Sequence, residues 1–157
     1  MKNQAHSSNT KPTKSKAVEM QHSPLVTVMR YRDAPAAITW LCEVFGFARH
    51  QVFANADGTI AHAELKLGAG MVMLSSNNNT GEFSKLLKQP DEVGGFSTQS
   101  SYIVVTDVDA VYARAIAARA KIEIKLQDSE EGRGFTCRDV EGHLWSVGNY
   151  NPWTQVI

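Results

Sequence analysis

Leu25-Val26-Thr27-Val28-Met29, then Tyr31-Arg32-Asp33, then Ala34-Pro35-Ala36-Ala37-Ile38 running on to Phe45-Gly46, carries the reading that decides the fold. The first run is rich in β-branched residues and reads as a strand. Asp33 is placed as the N-cap of a helix in which Ala37, Ile38, Leu41, Val44 and Phe45 recur at helical spacing. Pro35 is tolerated in a first turn, and Gly46 stands where a left-handed residue ends a helix. Ala48 to Phe53 then reads as a strand, Asn55-Ala56-Asp57-Gly58 as a hairpin turn, Ala61 to Leu67 as a second strand, and Met71 to Leu74 as a third. The unit is βαβββ, over about residues 24–75.

The same order returns downstream. Tyr102 to Val105 reads as a strand, Asp107 as a cap, and Val108, Val111, Tyr112, Ala115 and Ile116 as a helix stripe. Strands follow at Ile122 to Leu126, Gly134 to Arg138 and Leu144 to Asn149. The caps Asp33 and Asp107 lie 74 positions apart, and setting them in register superimposes strand on strand, so the chain carries an internal duplication. The second unit spans about 100–150, after a linker of about 76–99. Residues 1–22, polar and without apolar periodicity, read as a flexible tail ahead of a single domain over 23–157. The expected class is α/β (α+β), with two βαβββ modules forming a curved mixed sheet around a ligand-sized cleft.

Bulk chemistry narrows the partners. Sixteen basic and sixteen acidic residues among 157 cancel, so no field of one sign invites nucleic acid or an anionic membrane. No run reaches the roughly 18 consecutive apolar residues of a membrane span, and the first residues lack the apolar stretch of a signal peptide, which points to the cytoplasm. Cys42 and Cys137 have no metal-ligand spacing and read as buried thiols.

Three segments resemble the vicinal oxygen chelate superfamily of glyoxalase I, extradiol dioxygenases and bleomycin-resistance proteins. They are Arg32-Asp33-Ala34-Pro35-Ala36-Ala37-Ile38 through Phe45-Gly46-Phe47, Asp107-Val108-Asp109-Ala110-Val111-Tyr112, and Arg138-Asp139-Val140-Glu141-Gly142-His143-Leu144-Trp145-Ser146. The last, ending in Trp145-Ser146, is most similar to the PhnB-like branch. Val140 replaces the proline usual after the aspartate. The resemblance implies a metal site with one His, Glu or Gln from the first strand and one Glu from the fourth strand of each module. The matching positions here hold Val26, Met73, Ser100 and Ser146, which are not a ligand set for a divalent ion. No cofactor is therefore expected. The family also pairs as homodimers, some with clefts completed by the second subunit, and the aromatic C-terminal run with Tyr150 and Trp153 is a candidate contact.

Strand parity from those positions gives a cleft lined by Val26, Val28, Met71, Met73, Ser100, Tyr102, Leu144 and Ser146, apolar with a few hydroxyls, as suits a small organic ligand. Trp145, on the opposite parity, falls to the core. Arg133, between Gly132 and Gly134, is a candidate for an anionic ligand group, equally well read as a solvated side chain. His62 and Glu64 share one face of a strand. They read more simply as the polar solvent side of that strand, since Lys66 continues the alternation. Two other functions stay open beside metal-independent binding, in which an antibiotic or metabolite is sequestered. One is a metal-dependent lyase or dioxygenase of the glyoxalase type, drawing a divalent metal to His62, Glu64 and His143; the other is an interaction module with a filled cleft.

Overall fold

The computed structural model describes residues 23–77 and 81–154, so the expected tail over 1–22 lies outside the described residues. The first module comprises β1 (Thr27–Tyr31), α1 (Ala34–Phe45), β2 (Ala48–Ala54), β3 (Ile60–Leu67) and β4 (Gly70–Ser76). The second comprises β5 (Ser101–Val104), α2 (Val108–Ala117), β6 (Lys121–Ser129), β7 (Gly132–Arg138) and β8 (Leu144–Gly148). Between them the linker forms two short 3₁₀ turns, Glu82–Leu86 and Pro90–Val93.

The local signals act as their chemistry requires. The Asp33 carboxylate accepts from the Ala36 amide at 3.0 Å, and Asp107 accepts from Ala110 at 2.9 Å. Gly46 stops α1 in the left-handed region at φ 82°. At the corresponding place after α2 stands Arg119, also left-handed at φ 58°, where a side chain is disfavoured. Arg119→Gly should therefore raise stability by about 0.5–1 kcal/mol, read as a Tm increase of roughly 1–4 °C.

Each module forms its own four-stranded mixed sheet, in the orders β1-β4-β3-β2 and β5-β8-β7-β6. The parallel pairs set Val28 beside Met73 and Tyr102 beside Ser146, and the antiparallel pairs set Glu64 beside Met73 and Thr136 beside Ser146. This shared register is the duplication expressed in hydrogen bonds.

The modules meet through their helices. Each helix must bury its apolar stripe, and α1 and α2 do so against their own sheets and against each other. Arg114 Nε donates to the Val44 carbonyl at 2.9 Å and Trp40 Nε1 to that of Ala118 at 3.3 Å. Trp145, 1% exposed, packs its ring against Phe45 and Phe47 at 5.3 and 6.1 Å. The helix-side residues of both sheets thus form one core, including Leu41, Leu65, Leu74, Phe135, Cys137 and Val147. Burial raises the Cys137 thiol to about 12, while Cys42 is only half-buried. Because the buried faces converge, the opposite faces look outward. Of the expected class, the structure has the α+β fold with two mixed sheets, each with its own helix.

A clasp joins the modules at the end of β1. The buried Asp139 carboxylate, just after β7, accepts from the Tyr31 hydroxyl at 2.6 Å, Trp145 Nε1 at 2.9 Å, and the Glu141 and His143 amides at 3.1 and 3.0 Å. Glu141 accepts from the backbone amides of Arg32 and Asp33, both at 2.7 Å, and His143 Nε2 lies 2.9 Å from the Arg30 carbonyl. Burial, with the Asp139 charge beside it, pushes the Tyr31 phenol well above its ordinary range. The Asp-Val-Glu-Gly-His turn is the fastening between the two halves.

Candidate functional site

The outward faces of the two sheets carry most of the side chains that parity assigned to a ligand. On the first sheet, β1 contributes Val28 and Arg30, β4 Met71, Met73 and Ser75, and β3 Glu64 and Lys66 paired across from the methionines. Val26 lies one residue before β1 and is half-buried. His62 and Glu64 therefore stand on the same face as Met73, and this face is more polar than the sequence reading allowed. The signal was available. The short Gly68-Ala69 turn fixes the β3–β4 register with Leu67 opposite Gly70, so counting back from it places Glu64 beside Met73.

On the second sheet, a concavity of about 200 Å³ takes in Tyr102, Ile124, Arg133, Thr136, Ser146 and Tyr150. The Tyr102 hydroxyl donates to the Tyr150 carbonyl at 3.1 Å and lies over Gly148, in the space a side chain there would fill. Thr136 Oγ1 and Ser146 Oγ are 3.1 Å apart, so this floor offers a pair of hydroxyls among apolar and polar side chains. Arg133 lines the concavity, but its guanidinium is held at 2.8 and 2.9 Å by both oxygens of Asp109 and at 3.0 Å by Asp128. That pairing holds the Asp109 carboxyl below the usual carboxylate range and balances the Arg133 charge with two acids of its own module.

Ser100 and Leu144 fall elsewhere. With Val28 and His143 they line a cavity of about 440 Å³ between the linker and the starts of β1, β5 and β8, closed on the linker side by Leu87, Pro90 and Phe96. The eight residues grouped by parity are thus distributed over two outward faces and this crevice. Thr136 and Arg30 were missed. Thr136 becomes visible only through the β7–β8 pairing, and Arg30 continues the Val26-Val28 alternation by one step.

The metal positions implied by the family were tested on their donors. Val26 has none, Met73 a thioether, and Ser100 and Ser146 neutral hydroxyls, one of them engaged with Thr136. This set does not fit a divalent ion, which takes imidazole, thiolate or carboxylate donors. On the first sheet, His62 Nε2 lies 3.2 Å from Glu64 Oε1, and His50 Nε2 lies 3.8 Å from Oε2. His143 is occupied in the clasp, edge-on to Tyr31 at 4.7 Å. Among the described residues no group of three or more His, Cys, Asp or Glu side chains is arranged to hold a metal ion, so His62, Glu64 and His143 are not brought together. Nor, among these residues, is any helix long and apolar enough to cross a membrane.

Comparison with known proteins agrees with this architecture. Rv0887c, an uncharacterized protein of Mycobacterium tuberculosis, is 31% identical over 117 residues, covering 74% of this chain and 68% of its own length. The crystal structure of TioX from Micromonospora sp. ML1 superposes with a TM-score of 0.64 at 34% identity, over 82% of this chain and 99% of that one. FosX of Listeria monocytogenes, a fosfomycin resistance protein solved with Mn(II) and sulfate, is 10% identical with a TM-score of 0.59 over 83% and 91% of the two chains, a likeness of fold alone. The family model of the Glyoxalase/Bleomycin resistance protein/Dioxygenase superfamily matches residues 24–147. The chain belongs to that superfamily, whose fold is one for binding small molecules.

Proposed function

We propose that the protein binds a small organic molecule on its outward sheet faces without a metal ion, sequestering an antibiotic or metabolite rather than converting it. The observation that carries this reading is the donor set: the family's ligand positions hold Val26, Met73, Ser100 and Ser146, and beside them stand apolar side chains such as Val28, Met71, Tyr102 and Ile124 with the hydroxyls of Thr136 and Ser146. Within the superfamily we assign the chain to the PhnB-like branch on Arg138 through Ser146.

The protein works as a homodimer in this reading. What supports it is that one chain leaves Val28, Tyr102, Val104 and Ile124 between 42 and 48% exposed on two separate faces. A second copy laid across them would bury these side chains and turn two open half-sites into enclosed ones. Light scattering at tens of micromolar should give the mass of two chains; a monomer would confine the ligand to one open face.

The contact of His50 and His62 with Glu64 is the one feature that favours a metal-dependent enzyme of the glyoxalase type instead. Ser146→Trp tests the binding reading. Its indole would fill the concavity beside Tyr102, so compounds that raise the Tm of the wild-type protein should lose that effect in the variant. A broad compound panel that leaves the wild-type Tm unmoved would favour an interaction module with a filled surface.

A further inference from the structure

Arg30 is the least explained charge in the molecule. It is 9% exposed, on the ligand face of the first sheet, one step along β1 from Val28. Nη1 donates to Ser75 Oγ at 2.6 Å and to the Ser76 carbonyl at 3.4 Å, both neutral acceptors. Nε is buried with no hydrogen-bond partner. Among the described residues no carboxylate pairs with this guanidinium.

Other arginines treat the same atom differently. Nε of Arg133 and Nη2 beside it hold both oxygens of Asp109, Nε of Arg138 donates to Glu123 at 2.6 Å, and Nε of Arg114 donates to Val44. A buried cation without a counter-charge is costly, and a buried N–H without an acceptor adds to that cost. Such a group is retained where something else supplies the acceptor. The Nε edge of a guanidinium matches two oxygens of one carboxylate or phosphate.

The cover over Arg30 is of a kind that yields. Phe83 lies with its ring centroid 6.0 Å from the guanidinium carbon, on the 3₁₀ turn Glu82–Leu86, which contributes no buried residue to the core. Phe83 itself is 52% exposed. A turn with no buried residue can move without disturbing either sheet.

We propose that Arg30 is the anchor for the anionic group of an organic ligand, a carboxylate or phosphate seated on its Nε edge after Phe83 swings away, with the apolar body lying over Val28 and Met73. This deepens the binding reading above and rests on it for the apolar part of the ligand.

The test is a titration of the full chain followed by NMR, with the Arg30 Nε–Hε resonance identified by its loss in Arg30→Lys. Inorganic phosphate, benzoate and the neutral benzyl alcohol are the probes, and the Val28 and Met73 methyl groups report the apolar face. Benzoate or phosphate should move the Arg30 resonance saturably and benzyl alcohol should not, the better of the two anions naming the group. Arg30→Gln should weaken binding of that anion by about ten- to a hundredfold. An Arg30 resonance unmoved by both anions overturns the anchor, as does unchanged anion affinity in Arg30→Gln. Methyl shifts with an unmoved Arg30 would leave small-molecule binding standing without the anchor. A moved Arg30 with unmoved methyls would leave the anchor standing and remove the apolar face from the site.

Discussion

Asp139→Ala should cost about 3–5 kcal/mol of stability and lower the Tm by roughly 8–15 °C, because it strands two buried side-chain donors at the junction of the modules. Asp139 is 7% exposed and takes hydrogen bonds from Tyr31 of the first module and Trp145 of the second. With the carboxylate gone, a hydroxyl and an indole N–H lie buried with nothing to accept them, and the turn amides of Glu141 and His143 lose their acceptor too. Tyr31→Phe is the control. It removes one donor and leaves Asp139 its three others, so it should cost only about 1 kcal/mol. Thermal or urea unfolding of the two variants separates these values; equal and small losses in both would mean that the clasp is not what fastens the halves.

Trp145→Ala should be as damaging, at about 3–5 kcal/mol, for a different reason. The indole fills the space between the second sheet and α1, against Phe45 and Phe47, so its removal opens a cavity where the two modules share their core. It also removes one of Asp139's donors, so the two losses overlap. A double variant Asp139→Ala/Trp145→Ala should therefore lose less than the sum of the single changes. Strict additivity in denaturant unfolding would show that Trp145 and Asp139 act independently.

These two residues also mark the limit of what the sequence could tell. Trp145 was assignable to the core from parity with Ser146, since neighbours in a strand point to opposite faces. Asp33, Asp107, Gly46 and the Asp57-Gly58 turn were legible because their roles are local: a carboxylate caps the helix it begins, and glycine takes the positive φ its turn demands. The 74-residue spacing carried the duplication. Alternation, however, separates two faces of a sheet without saying which of them meets the other module. Both helix stripes were apolar enough to face a core, and only their packing on each other decided that the opposite sheet faces look outward. Arg30 was hidden for a related reason. Arg30 is 9% exposed, and the Phe83 ring near its guanidinium comes from a linker with no periodic signal.

Binding without a metal is tested most directly by stripping the protein. The full chain, purified without chelators, would be assayed for metal content, and its ligand-induced Tm shifts recorded before and after dialysis against EDTA. Metal-independent binding predicts no stoichiometric metal and the same compounds giving the same shifts in both samples. One equivalent of zinc, nickel, manganese or iron per chain, with ligand shifts or turnover lost on chelation and restored by adding the ion back, would contradict it and move the site to a metal centre.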